Sequence, residues 1–158
     1  GLLGSWYYDD SNRNDIVSAK VLHDQNNLYF LIETAGDITP YEGGENWMNL
    51  LIKTGNSTAQ GSWEGFDFML NRSPQTGKTS VEKSAGGWKW TGVGTADMTV
   101  QGSKMMITLP LSLLGMTADN VAFEFKIADN VTAYTDIMDY YVTGDSAPIG
   151  RLNYSYGY

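Results

Sequence analysis

Cysteine is absent from all 158 residues, so disulfides, thiolate metal sites and thiol nucleophiles are excluded, and the redox compartment is left open. Histidine occurs once, as His23. A Ser/His/Asp triad would have to use it, yet its neighbour Asp24 opens a turn and no G-x-S-x-G elbow exists. Basic residues are scarce: 10 Lys and Arg stand against 18 Asp and Glu, giving a formal net charge of −8. Without a Lys/Arg cluster, a phosphate backbone or an anionic leaflet is repelled, so neither nucleic acid nor a membrane surface is expected as a partner. Uninterrupted apolar runs are a few residues long, far short of the ~20 that span a bilayer. Gly77-Lys78-Thr79 hints at a phosphate loop, but Arg72 stands where that motif needs glycine.

What is present describes a folded chain of ordinary domain size, with 42% hydrophobic residues and 18 glycines. Residues 1–158 read as one domain. The opening Gly1-Leu2-Leu3-Gly4 has no initiator methionine and no basic leader, which reads as a mature or excised piece of something longer.

Four segments alternate with period two, the pattern of half-buried strands: Leu28, Phe30 and Ile32; Phe66, Phe68 and Leu70; Met105, Ile107 and Leu109; Phe123, Phe125 and Ile127. Further strands are expected over 16–22, 47–53, 79–83, 88–91, 96–101 and 136–142. Turn chemistry lies between them, as in Asp24-Gln25-Asn26-Asn27 and Ser73-Pro74-Gln75-Thr76-Gly77. One short helix is expected over 110–115, led by Pro110 and closed by Gly115. About ten short strands without crossover helices predict an all-β antiparallel sandwich of jelly-roll type.

Carboxylate chemistry is ambiguous at this level. Glu33, Asp67 and Glu124 lie on strands, but a glycosidase pair is defined by separation in space and not by spacing in sequence. Oxygen-rich loops suit a hard cation: Glu33 with Asp37, Asp129 and Asn130 with Asp136, and Asp9 and Asp10 with Asp15. Solvated acids in turns are the plainer reading of the same residues.

Aromatic residues are abundant, with 5 Trp, 10 Tyr and 5 Phe. Trp47 follows Gly43-Gly44-Glu45-Asn46, Trp63 lies between Gly61 and Gly65, and Trp88 and Trp90 follow Gly86-Gly87. Glycine flanks let a large ring stand exposed, and an exposed ring stacks on the apolar face of a sugar while neighbouring polar groups bond its hydroxyls. At strand spacing Trp88 and Trp90 would share one face. Trp47, Trp63, Trp88 and Trp90 are therefore the candidate ligand platform, with Arg72 and Arg151 as hydroxyl-bonding partners. The alternative is that these rings fill the core.

The order of these pieces resembles carbohydrate-binding module family 9 and the wider DOMON-like sandwiches. The pieces are 16–31 ending in Asn27-Leu28-Tyr29, then Asn46-Trp47, Gly65-Phe66-Asp67-Phe68-Met69-Leu70-Asn71, the strand and turn over 105–115, and Phe123-Glu124-Phe125-Lys126-Ile127-Ala128-Asp129-Asn130. The resemblance implies a sandwich fold, a sugar held between two tryptophans with Trp47 as the first, and an accompanying calcium near Asp129. Met69 stands where the family has an arginine, and no tryptophan lies in 144–150. The implied function is a non-catalytic, extracellular module that holds a covalently linked enzyme on polysaccharide. Calcium is its expected structural ion, with Asp129, Asp136, Glu33 and Asp37 as candidate ligands. Two other functions fit the same fold: a haem-binding DOMON cytochrome using Met and His23, and a structural sandwich packed against a neighbouring catalytic domain.

Overall fold

The structure, a computed structural model, describes residues 14–56, 63–148 and 150–157. The acid pair Asp9 and Asp10 lies outside them. Ten strands form: β1 (Ile16–His23), β2 (Asn27–Thr34), β3 (Asn49–Lys53), β4 (Phe68–Gln75), β5 (Lys78–Ser84), β6 (Trp90–Gln101), β7 (Lys104–Pro110), β8 (Phe123–Asp129), β9 (Asp145–Ala147) and β10 (Tyr154–Tyr156). Every pairing among them is antiparallel, in the order β1-β2-β7-β6-β5-β4-β3-β8-β10, with β9 added to β8. The protein is therefore all-β, and its single sheet curls into a nearly closed sandwich.

Side-chain alternation explains the curl. On β2 the even positions Leu28, Phe30 and Ile32 are fully buried while Tyr29, Leu31 and Glu33 face outward. Phe30 sits opposite Ile107, and Ile107 opposite Met98, so the same face is apolar across β2, β7 and β6. Leu50, Ile52, Phe68, Leu70, Phe123, Phe125 and Ile127 close the core from the other half of the sheet. Two contacts bring the ends of the strand order together: Ile16 N–H donates to Asp145 Oδ2 at 2.5 Å, and His23 Nδ1 lies 2.7 Å from the Tyr156 hydroxyl.

The expected short helix is present as a 3-10 turn over Leu111–Leu114, ended by Gly115 in the left-handed region at φ 70°. Three expectations need correction. Residues 136–142 are not a strand: the Asp136 carboxylate accepts from Met138 N–H and starts a second 3-10 turn over Ile137–Tyr141. The expected strands 88–91 and 96–101 are one strand, β6, which begins only at Trp90; Trp88 belongs to the glycine turn before it. The turn expected over 73–77 is confined to Thr76 and Gly77, because Asn71 at φ 72° bulges β4 and lets Pro74 continue the pairing with Thr79.

Candidate functional site

Two aromatic regions lie on opposite sides of the sheet. Trp47 belongs to the main core and is only 5% exposed; its indole N–H donates to Thr39 O at 2.9 Å. Gly43 and Gly44, at φ 101° and 84°, supply the backbone turn that swings it inward. Tyr41, half-buried, meets it edge to face at 5.7 Å. The two rings border a groove of about 610 Å³, with the segment 37–41 on one side and the β4–β5 hairpin tip and the end of β6 on the other. Pro40, Pro74 and Val100 extend its apolar lining, and Asp37, Thr39, Gln75 and Thr76 form its polar rim. The segment 37–41 is pinned by Ile38 N–H to Gly102 O at 2.9 Å and Thr39 N–H to Asn14 Oδ1 at 2.7 Å.

The second region covers the outer face of β4, β3 and β8. Leu51 and Met69 on that face, with Ala128, Val131 and Ile137, support a layer of Trp63, Phe66 and Tyr140, against which Trp88, Trp90, Tyr134 and Tyr141 pack. The rings meet edge to face: Trp63 with Tyr140 at 4.8 Å and 82°, Trp63 with Trp88 at 4.9 Å and 61°, and Trp88 with Trp90 at 5.9 Å and 82°. Nearly perpendicular planes mean that Trp88 and Trp90 do not make the coplanar platform that strand spacing suggested. Trp63 is 5% exposed and Trp88 and Trp90 are half-buried.

Arg72 joins this second region and not the groove. Its guanidinium lies 4.9 Å from the Trp88 ring centre and pairs with Glu45 and Glu82 at 2.5 Å each. Its charge is thus more than offset by the two carboxylates, and its guanidinium lies against the Trp88 ring. Arg151 is exposed, pairing with Glu64 at 2.8 Å beside the Tyr141 ring. Glu64 also accepts from the Tyr141 hydroxyl at 2.7 Å, which with Arg151 holds its carboxyl below the usual range.

The four candidate metal ligands hold backbone or sit apart. Asp129 is buried, its carboxylate accepting from Met48 N–H at 2.9 Å and Asn14 Nδ2 at 3.2 Å. Asp136 caps the second 3-10 turn, Glu33 sits opposite Lys104 across β2 and β7, and Asp37 lies on the groove rim. Among the described residues no three His, Asp or Glu side chains are grouped to hold a metal ion. Of the strand acids, Asp67 is buried and consumed structurally, accepting from both the backbone and the hydroxyl of Thr54.

Reasoning from sequence did not single out Tyr41, Tyr134, Tyr140, Tyr141 or Asn49. The last had a usable signal: a polar residue in phase with Leu51 at the start of a strand whose next three residues are apolar. No family model, curated protein or solved structure matches this chain.

Proposed function

We propose that the chain is a non-catalytic carbohydrate-binding module, which acts outside the cell by holding a linked glycan-active enzyme on a neutral polysaccharide. The observation that carries this reading is the groove beside Trp47 and Tyr41. Its volume of about 610 Å³ falls within the usual range for ligand sites, and apolar rings beside uncharged hydrogen-bonding groups suit a sugar's two kinds of surface. Asp37 is the one charged group on its lining, and with a net charge of −8 the field disfavours uronic-acid polymers. Haem ligation is less well supported, because both ring nitrogens of His23 are engaged, one by the Tyr156 hydroxyl and one by Ala118 O.

An open groove buries only part of a sugar, so affinity is expected around the millimolar to micromolar range. Replacing Tyr41 with alanine removes the accessible ring and its hydroxyl's bond to Gly44 O, while the Trp47 indole bond to Thr39 O and the strands are kept. Retention on insoluble polysaccharide should drop at least tenfold for Tyr41→Ala, with cooperative melting retained. A folded Tyr41→Ala protein that is retained like the parent contradicts the groove as the binding site.

A further inference from the structure

Seven buried side-chain polar atoms among the described residues have no hydrogen-bond partner, and five of them lie in the aromatic layer or on the sheet face beneath it. These are Asn49 Nδ2 and Oδ1, the Tyr140 hydroxyl, Trp90 Nε1 and Arg72 Nε. Asn49 belongs with the others by strand alternation: Leu50 faces the main core, Leu51 faces the aromatic layer, and the residue opposite Asn49 is Ala128, part of that layer. Asn49 and Tyr140 are both completely buried. A buried polar group without a partner keeps its full desolvation penalty, so such groups are uncommon in folded proteins unless something else uses them.

We infer that this aromatic layer is a second, closed sugar-binding site, in which Asn49, Tyr140 and Trp90 recognise hydroxyl groups and Trp88 is the cover. The set of unpaired atoms selects the ligand class. An amide and a phenol each offer a donor and an acceptor, while Trp90 Nε1 and Arg72 Nε offer donors only. An anion would face the Asn49 carbonyl, and a cation would face the N–H groups. A neutral polyol, whose hydroxyls both give and accept, satisfies all of them. Glu45 and Glu82 together outweigh Arg72 by one negative charge, which turns away an anionic ligand, while the N–H donors of Trp90 and Arg72 offer a cation no ligand atoms. Trp63, held edge to face by Trp90 and Tyr140, would offer its ring to apolar C–H surface once Trp88 is lifted from it.

Trp88 suits the part of a cover. It stands half-buried over Trp63, on a turn whose Gly86 and Gly87 have φ of 104° and 53°. Two short-range hydrogen bonds close that turn, Ala85 N–H to Lys89 O at 2.7 Å and Lys89 N–H to Gly86 O at 3.0 Å, so the ring can swing without disturbing a strand. The energy released by pairing the five buried atoms offsets the loss of the Trp88 ring contacts.

This inference rests on the carbohydrate reading, and the experiment separates the two. The wild type, Tyr140→Phe, Asn49→Val and Tyr41→Ala are melted and titrated with neutral cello-, xylo-, manno- and galacto-oligosaccharides, following the Trp90 indole N–H by NMR. Without sugar, Tyr140→Phe should melt above the wild type, because it loses only an unpaired hydroxyl. With sugar, the wild-type Trp90 resonance should move downfield, and Tyr140→Phe and Asn49→Val should each bind at least tenfold more weakly at this site, whereas Tyr41→Ala still moves the Trp90 signal. Tyr140→Phe keeps the test valid if Asn49→Val does not fold. Variants that gain stability but bind as the wild type does would overturn the inference. So would sugar binding that is lost only in Tyr41→Ala and never reaches Trp90, although the groove reading would then stand. No binding of any neutral sugar by the wild type would overturn both.

Discussion

Gly144→Ala is expected to destabilise the protein by about 2–4 kcal/mol, lowering the melting temperature by roughly 10 °C at this chain length. Two costs add at this position. Gly144 sits at φ 70°, in the left-handed region that a β-carbon disfavours, and an alanine Cβ there would lie 2.4 Å from Asp129 O and 2.9 Å from Val131 N. Those neighbours are backbone atoms, and they cannot step aside without disturbing the β8–β9 pairing next door, where Asp129 lies opposite Asp145. Gly55→Ala is the control, since Gly55 has φ 82° but nothing within 4 Å of its added Cβ. It should cost about 1 kcal/mol from conformation alone. Equal melting temperatures for the two variants would show that the close approach at Gly144 is wrong.

Lys126 should give stability an alkaline dependence. Its amine is completely buried on the outer face of β8, donating to Pro148 O at 2.5 Å, and burial pulls its pKa from 10.5 down to about 8. Below pH 8 the native state carries the charge and its full penalty, about 3 kcal/mol. Between pH 8 and 10.5 the unfolded chain keeps the proton that the native chain has released, so unfolding binds protons and stability rises with pH. The opposite sign applies above pH 10, because burial raises the phenols of Tyr140 and Tyr141 above 10.0 and only the unfolded chain loses those protons. The melting temperature should therefore climb from pH 8, peak near pH 10 and then fall. Lys126→Met should abolish the climb while keeping the fall, and should melt no lower than the wild type at pH 7. A climb of equal size in Lys126→Met would refute the assignment to this amine.

The strands were legible because apolar residues alternate on them. Leu28, Phe30 and Ile32 announced β2, and Met105, Ile107 and Leu109 announced β7, with one face buried and one wet as the pattern required. Pro110 and Gly115 likewise bracketed the first 3-10 turn. The misreadings have local causes. Val142 and the tyrosines of 136–142 have strand propensity, but one hydrogen bond from Met138 N–H to Asp136 turns the backbone the other way. Three-residue strands such as β9 and β10 carry too few residues for any period to show.

The candidate site was legible in composition but not in arrangement. Four tryptophans were singled out, yet Trp47 lies by a groove on one side of the sheet and Trp63, Trp88 and Trp90 form a layer on the other. Nothing in spacing shows that Asn71 takes a left-handed conformation, and that bulge is what sends Arg72 to the outer face beneath Trp88. Tyr41 lies in an irregular segment with no periodicity, so only tertiary contact reveals it as Trp47's neighbour.

The most direct measurement is an NMR titration of the isotopically labelled chain with a neutral oligosaccharide at up to millimolar concentration. Saturable shifts are predicted at Tyr41, Trp47, Gln75 and Thr76, which border the groove. Unchanged spectra across neutral glycans of several linkages, or shifts confined to the exposed face of β1 and β2, would contradict carbohydrate binding at this groove.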